Sequence, residues 1–134
     1  IIVGVNILNA LISIKPKYVE EIINKNKKYE YRKSIFKKEI DKVYIYSTRP
    51  NKHIVGYFKY SGYLNGAPEE IWKITKDFSG IDETSYYKYF NNKEYAYAIK
   101  IEELHIFKEP VDPKSKINKF VAPQSYIYLE GDIE

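Results

Sequence analysis

The chain has 134 residues, of which 44% are hydrophobic and 30% charged, and it contains no cysteine. This composition is typical of a globular domain, and a chain of this length can bury one core. The lack of cysteine excludes disulfide frameworks, cysteine-ligated zinc sites and thiol nucleophiles, and we therefore predict a cytoplasmic protein. We expect one domain over residues 10–134, after an N-terminal extension or artificial remnant over residues 1–9. The uncharged residues 1–14 are fewer than the about 20 that span a bilayer, so no membrane partner is expected.

The positive charge is concentrated in one part of the chain. The net charge is +4, and residues 15–52 hold 12 basic and 5 acidic side chains, whereas the rest holds 10 and 13. This segregation predicts a basic cleft that contacts phosphates. A solvated lysine-rich face without a ligand remains the alternative.

Hydrophobic spacing and turn residues predict the elements of the first half of the chain. They are an apolar strand over 9–14, a helix from Pro16 to about residues 24–26, an extended segment over 28–32, a strand over 43–47 and a loop over 48–51. A strand over 54–63 follows, in which Gly56 is expected to mark a bulge or a tight bend.

The second half begins with two predicted helices. Pro68 starts the first, which Gly80 ends, and Asp82 caps the second, which ends near residues 90–92. Two strands follow, over 95–106 and 126–129, and a lysine-rich loop over 112–119 lies between them in the sequence. We predict an α+β fold, a small, mostly antiparallel β-barrel with one early helix and two short inserted helices at its rim.

Several classes of catalytic site are absent from the sequence. The two histidines, His53 and His105, are far apart, so a histidine metal site or a serine–histidine triad would need isolated residues from different strands. The six glycines form neither a phosphate-binding loop nor a dinucleotide fingerprint. We expect no metal and no cofactor.

The most informative stretch is Lys25–Arg32. In an extended chain Lys28, Glu30 and Arg32 share one face. An ionised Glu30 can accept from an exocyclic base amine, and the planar fork of Arg32 suits a phosphate or a base edge. A structural ion pair between the two explains the same pattern.

The residues that flank this stretch complete an ordered series of short motifs. The series runs through Ala10–Pro16, Lys27-x-x-Glu30-x-Arg32, Tyr46–Pro50, Ile54–Gly56, Ala96–Ile99 and Ala122–Tyr126. Together these motifs resemble the ASCH domain family, whose members are PUA-like β-barrels. Lys25 stands where the family signature has glycine.

The resemblance implies binding of RNA or a modified nucleotide in a basic cleft, in transcription- or translation-linked regulation. The ligand-binding residues that the motifs and the resemblance indicate are Ser13, Lys15, Lys27, Lys28, Glu30, Arg32, Ser47, Thr48 and Arg49. If the chain is an enzyme, Lys27 and Glu30 are the catalytic candidates, in a metal-independent amidohydrolase or ribonuclease. Some relatives are amidohydrolases with a Lys-x-x-Thr motif, but Glu30 stands at the threonine position here. A protein-interaction adaptor, using the helices around Trp72, is the third alternative.

Overall fold

The computed structural model describes residues 7–133. Its strands are β1 (Leu8–Ile14), β2 (Tyr29–Arg32), β3 (Lys42–Ser47), β4 (His53–Gly66), β5 (Ala96–Val111) and β6 (Tyr126–Glu130). Its helices are α1 (Pro16–Ile23), α2 (Pro68–Thr75) and α3 (Glu83–Tyr89), with short 3-10 helices at Lys76–Phe78 and Pro113–Ser115. Among the described residues, no helix is long and apolar enough to cross a membrane. Most of the predicted extension lies outside them, although Leu8 and Asn9 belong to β1.

The six strands form one mixed sheet in the order β2-β5-β4-β3-β1-β6. The predicted α+β class is confirmed. The predicted barrel is not, because β2 and β6 stand at opposite ends of the strand order. The sheet is also not purely antiparallel: β1 pairs in parallel with β3, whereas β1–β6, β2–β5 and β3–β4 are antiparallel. A parallel pair requires a long crossover, and the segment between β1 and β3 contains α1 and β2.

The described residues divide into two compact units. Unit 1 comprises residues 7–16, 38–60 and 103–133, and unit 2 comprises residues 17–37 and 61–102. Strands β4 and β5 each contribute residues to both units.

The core of unit 1 lies on one face of β1, β3 and β4. Its buried members are Leu11, Tyr44, Tyr46, Ile54 and Ile133, and further apolar side chains pack around them. Tyr44 accepts a hydrogen bond from the backbone N–H of Ile133 at 3.1 Å through its hydroxyl. This contact ties the C-terminal residues to the core.

The core of unit 2 is mainly aromatic. Its buried members are Tyr31, Ile71, Tyr86, Phe90, Ala96 and Ala98. The rings of Tyr31 and Tyr86 meet edge to face with centroids 5.0 Å apart, and Trp72 lies 4.7 Å from Tyr86. Burial raises the pKa of Tyr31 to about 12, although its hydroxyl shares a 2.7 Å hydrogen bond with Thr75.

The helix starts and caps follow the sequence prediction closely. Helices α1 and α2 begin at Pro16 and Pro68, and the Asp82 carboxylate accepts from the Ser85 N–H at 2.9 Å to cap α3. The predicted strand over 54–63 was too short at its end, because β4 continues to Gly66.

The bulge predicted at Gly56 is confirmed. The β3–β4 register shifts between Ile45 and Tyr46, so that Ile45 faces Gly56 and Tyr46 faces Ile54. The backbone of His105 approaches so closely that a β-carbon at position 56 would collide with the His105 carbonyl oxygen. Only glycine fits here without displacing β5.

We therefore expect Gly56→Ala to lower the free energy of unfolding by about 1–3 kcal/mol, because the clash is with backbone and cannot relax by side-chain rotation. Gly66→Ala is the control, since its nearest neighbour is the flexible Glu70 carboxylate at 3.3 Å. Urea denaturation measures both. Equal stabilities for the two variants would contradict this explanation of Gly56.

Candidate functional site

The residues predicted to bind ligand fall into two groups, one in each unit. Ser13, Lys15, Ser47, Thr48 and Arg49 belong to unit 1. Lys27, Lys28, Glu30 and Arg32 belong to unit 2.

Lys27, Glu30 and Arg32 form a compact charged cluster in unit 2. The Arg32 Nη2 lies 2.8 Å from the Glu30 Oε2, and the Lys27 Nζ lies 3.7 Å from the Glu30 Oε1. Lys27 precedes β2 and is joined to Ser79 by a single β-bridge, so it escapes the strand alternation that would place it opposite Glu30. The structure therefore brings the signature residues together, as an ion-paired set.

Lys27 is one of the most buried charged residues of unit 2. It is 3% exposed, its Nζ donates to the Ser79 carbonyl oxygen at 2.9 Å, and the Tyr31 ring centroid lies 4.7 Å from that nitrogen. Gly80, at φ +62°, packs against the Lys27 side chain so tightly that a β-carbon there would overlap it. Burial lowers the pKa of the Lys27 amine below its usual value, although the nearby Glu30 carboxylate raises it.

Lys28 has a different environment from its neighbour. Its side chain is exposed, and its Nζ lies 4.3 Å from the Phe78 ring centroid. Its backbone is fixed by a 2.8 Å hydrogen bond from its N–H to the Phe78 carbonyl oxygen. Lys28 is therefore available to solvent, whereas Lys27 is enclosed.

In unit 1 the two predicted serine hydroxyls are already engaged in internal contacts. The Ser13 hydroxyl donates to the Pro123 carbonyl oxygen at 2.7 Å, and the fully buried Ser47 hydroxyl accepts from the Asn51 side-chain amide at 2.9 Å. Lys15 and Arg49 are exposed, and Thr48 is half-buried. The serines thus support the loops around them.

A cavity of about 420 Å³ opens beside these loops, and we call it the loop pocket. Its walls come from the segment after β3 and from the segment that ends β5 and follows it. The lining residues are Tyr46, Asn51, Lys52, His53, Pro110, Asp112, Pro113, Lys114 and Phe120. Lys52 and Lys114 are exposed, so two cations from distant parts of the sequence border one cavity.

The first wall is shaped by the turn that follows β3. The Asn51 N–H donates to the Thr48 carbonyl oxygen at 3.0 Å, and Lys52 has a positive φ of 56°. Together with the bond from Asn51 to Ser47, these contacts fix the backbone from which Lys52 projects.

The second wall is a capped 3-10 helix. The Asp112 carboxylate accepts from the Lys114 N–H at 3.0 Å, and the buried Pro113 anchors the first turn. Two of the lining rings, those of Tyr46 and Phe120, have centroids 5.3 Å apart. The loop pocket therefore combines aromatic surface with cations on two fixed segments.

The sequence predicts that both of these segments are loops, but it does not indicate that they lie next to each other. The loop over residues 48–51 and the lysine-rich loop over 112–119 were predicted, yet Lys52, His53, Lys114 and Phe120 were not named as ligand residues. Their one signal was the clustering of basic residues in two turns. Nothing in their spacing indicated that the turns meet.

A second cavity in unit 1, of about 360 Å³, has the opposite character. Its lining is Ile7, Leu8, Glu39, Ile40 and Asp41, which includes two acidic residues and no cation. This cavity is unsuited to a phosphate. Within residues 7–133, no group of three or more His, Asp or Glu side chains is placed to hold a metal ion.

The burial of Lys27 predicts a structural contribution that the exposed Lys28 does not share. We expect Lys27→Ala to lower the free energy of unfolding by about 2–4 kcal/mol, because it empties packed space and removes a buried ion-pair partner. Lys28→Ala should cost less than about 1 kcal/mol, since its contacts are at the surface. Urea denaturation compares the two. A Lys27→Ala protein as stable as wild type, yet unable to bind or convert RNA, would instead favour the catalytic hypothesis for Lys27.

The comparisons with known proteins agree with the resemblance noted in the sequence. The family model for the ASCH domain matches residues 12–105. The chain is 26% identical over 130 residues to a Zymomonas mobilis protein named ASCH domain-containing ribonuclease, covering 92% of this chain and 85% of that one. It is also 26% identical over 121 residues to the large ribosomal subunit protein uL22 of Ureaplasma parvum, covering 90% of this chain but 39% of that protein.

The fold matches a solved structure of the same kind. The crystal structure of ASCH from Zymomonas mobilis superposes with a TM-score of 0.83 at 26% identity, covering 90% of this chain and 87% of that one. Sequence and structure thus lead to the same family. The chain belongs to the ASCH domain family.

Proposed function

We propose that this domain binds single-stranded RNA and that the loop pocket holds one unpaired nucleotide. The observation that carries the proposal is the convergence of Lys52 and Lys114 with the aromatic residues Tyr46 and Phe120 around one cavity. Its volume of about 420 Å³ falls within the range of roughly 300–1,000 Å³ that small-molecule sites occupy.

The chemistry of the lining suits a nucleotide. Lysine ammonium groups neutralise phosphates, and aromatic rings present faces or edges to unpaired bases. The Asn51 amide and the Asp112 carboxylate offer polar groups that can discriminate between base edges. RNA is recognised mainly where its bases are unpaired, which a pocket for a single nucleotide requires.

Family membership supports RNA as the ligand, because one relative is named a ribonuclease. The chain is also similar to part of a protein named a large ribosomal subunit protein, and this similarity supports a translation-linked setting. The exposed cations Arg49 and Lys15 are proposed as further phosphate contacts of unit 1. Ser13, Ser47 and Thr48 are proposed to shape the loops rather than to contact RNA.

Two of the alternatives raised by the sequence gain no support. An amidohydrolase using Lys27 would need substrate access to an amine that is 3% exposed and bonded to the Ser79 carbonyl oxygen. An adaptor using Trp72 would need that ring free to contact a partner, but the ring is half-buried and packs on Tyr86 against the core of unit 2. We infer that both residues are structural.

Cleavage of RNA is a second candidate function, favoured by His53, which lines the loop pocket together with both lysines. In metal-free cleavage the 2′-hydroxyl attacks the adjacent phosphorus and loses its proton to a base. The 5′-oxygen leaves with a proton from an acid, and a 2′,3′-cyclic phosphate is formed. We propose that His53 is the base that takes the 2′-hydroxyl proton, that solvent water protonates the leaving 5′-oxygen, and that Lys52 and Lys114 stabilise the developing negative charge.

We predict that Lys52→Ala and Lys114→Ala each weaken binding to a short single-stranded RNA by roughly 3- to 10-fold, equal to about 0.7–1.4 kcal/mol. Each should also reduce the slope of log affinity against log salt by about 0.7, because one phosphate contact is lost. Fluorescence titrations over a range of salt concentrations measure both quantities.

The matched control is Lys59→Ala, which changes the net charge equally at an exposed position of β4 in unit 1. It should leave affinity nearly unchanged. If all three lysine variants lose affinity equally, binding depends on overall charge and the loop pocket is not the site.

For the ribonuclease candidate, we predict that the wild-type protein cleaves single-stranded RNA in the presence of EDTA and releases 2′,3′-cyclic phosphate ends. His53→Asn should reduce the rate at least about 100-fold, the usual contribution of a positioned proton-transfer group, while binding persists. A substrate with 2′-deoxyribose at the cleaved position is the chemical control and should stay intact. Cleavage of that substrate, or full activity of His53→Asn, would refute this mechanism.

A further inference from the structure

Unit 2 presents tyrosine rings on the face of its sheet that is opposite the aromatic core. Leu64, Ala96 and Ala98 pack on the core, and Tyr63 and Tyr97 alternate with them along β4 and β5. Successive strand residues point to opposite faces, so these two tyrosines point away from the core. Their rings meet edge to face with centroids 5.6 Å apart.

These rings remain accessible to a ligand. Tyr63 is 40% exposed and Tyr97 is half-buried. Tyr95, immediately before β5, is 58% exposed. Exposed aromatic surface gathered on one sheet face is typical of a binding surface.

The strand next to Tyr97 supplies positive charge. Arg32 is the cross-strand partner of Tyr97 in the β2–β5 pair. Residues 25–33 carry five cations and one carboxylate, Glu30, which pairs with Arg32. The exposed members, Lys25, Lys28 and Lys33, leave this edge of the sheet complementary to phosphates.

We propose that Tyr63 and Tyr97, which we call the tyrosine face, form a second RNA-contacting surface that holds unpaired bases by stacking. The inference rests on the proposed function because it takes single-stranded RNA as the ligand, but it assigns a site that shares no residue with the loop pocket. Aromatic side chains on a sheet face stack bases with little regard for sequence, and cations beside them follow the backbone. The tyrosine face therefore adds affinity without base preference.

The test distinguishes the contribution of the aromatic ring to RNA binding from that of the hydroxyl, and both from a loss of folding. Tyr63→Leu and Tyr97→Leu remove the aromatic ring, whereas Tyr63→Phe and Tyr97→Phe keep it and remove only the hydroxyl. Ile74→Ala is the matched control, because it removes an exposed apolar side chain of unit 2 that lies on α2 instead of the sheet. Thermal unfolding checks that each variant is folded.

Binding is measured with a mixed-sequence single-stranded RNA of about 12 nucleotides, a length within the usual span of single-strand sites, and with the same RNA in a duplex. Each Leu variant should bind the single strand at least about fivefold more weakly, since stacking of one base contributes that much or more. The Phe variants and Ile74→Ala should bind like wild type. Affinity for the duplex, whose bases are already stacked, should not change.

The Tyr63 and Tyr97 variants are also made in a protein that carries both Lys52→Ala and Lys114→Ala. This series distinguishes binding at the tyrosine face from binding in the loop pocket. Loss of binding on Tyr→Leu substitution, with no loss from the lysine changes, would refute the loop pocket and support the tyrosine face. Loss from the lysine changes alone would overturn the tyrosine face. Phe variants as weak as the Leu variants, or folded Leu variants that bind like wild type, would also overturn it.

Discussion

The parallel pairing of β1 with β3 is the constraint on which the proposed site depends. Because the two strands run in the same direction, Ile14 and Ser47 come to the same end of the pair. The Thr48 N–H extends the pairing by donating to the Ile14 carbonyl oxygen at 3.0 Å. The turn that carries Lys52 therefore begins at the end of a strand pair, β1 and β3, in which most residues are buried. Because the backbone of this turn is already fixed, a lysine on it loses little conformational entropy when a phosphate binds, and less affinity is lost.

The charged cluster of unit 2 shows how a sequence signature can serve the fold. Lys27, Glu30 and Arg32 resemble a recognition set in sequence, and they do meet in space. However, the Lys27 amine is enclosed by the Ser79 carbonyl oxygen, the Tyr31 ring and Gly80. Breaking such a buried pair leaves an uncompensated charge, which is costly even where the intact pair adds little net stability. The cluster thus fixes β2, the strand that pairs with β5 beside Tyr97.

Much of the secondary structure could be predicted because local chemistry determines it. Proline fixes the starts of α1 and α2, the Asp82 side chain caps α3, and Gly56 marks the bulge where backbone approaches backbone. The parallel pair was missed because strand direction depends on a crossover, which periodicity does not reveal. The loop pocket was missed for a similar reason: Lys52 and Lys114 are brought together by the tertiary fold. The burial of Lys27 depends on Ser79 and Gly80, about fifty residues away in the sequence.

The proposed function requires that RNA occupies the loop pocket of unit 1. Photo-cross-linking of a short single-stranded RNA containing 4-thiouridine, followed by mass spectrometry of the linked peptides, tests it most directly. We expect cross-links within residues 46–53 and 110–120, the two segments that line the pocket. Specific RNA binding with no cross-link in either segment would show that RNA does not occupy the loop pocket.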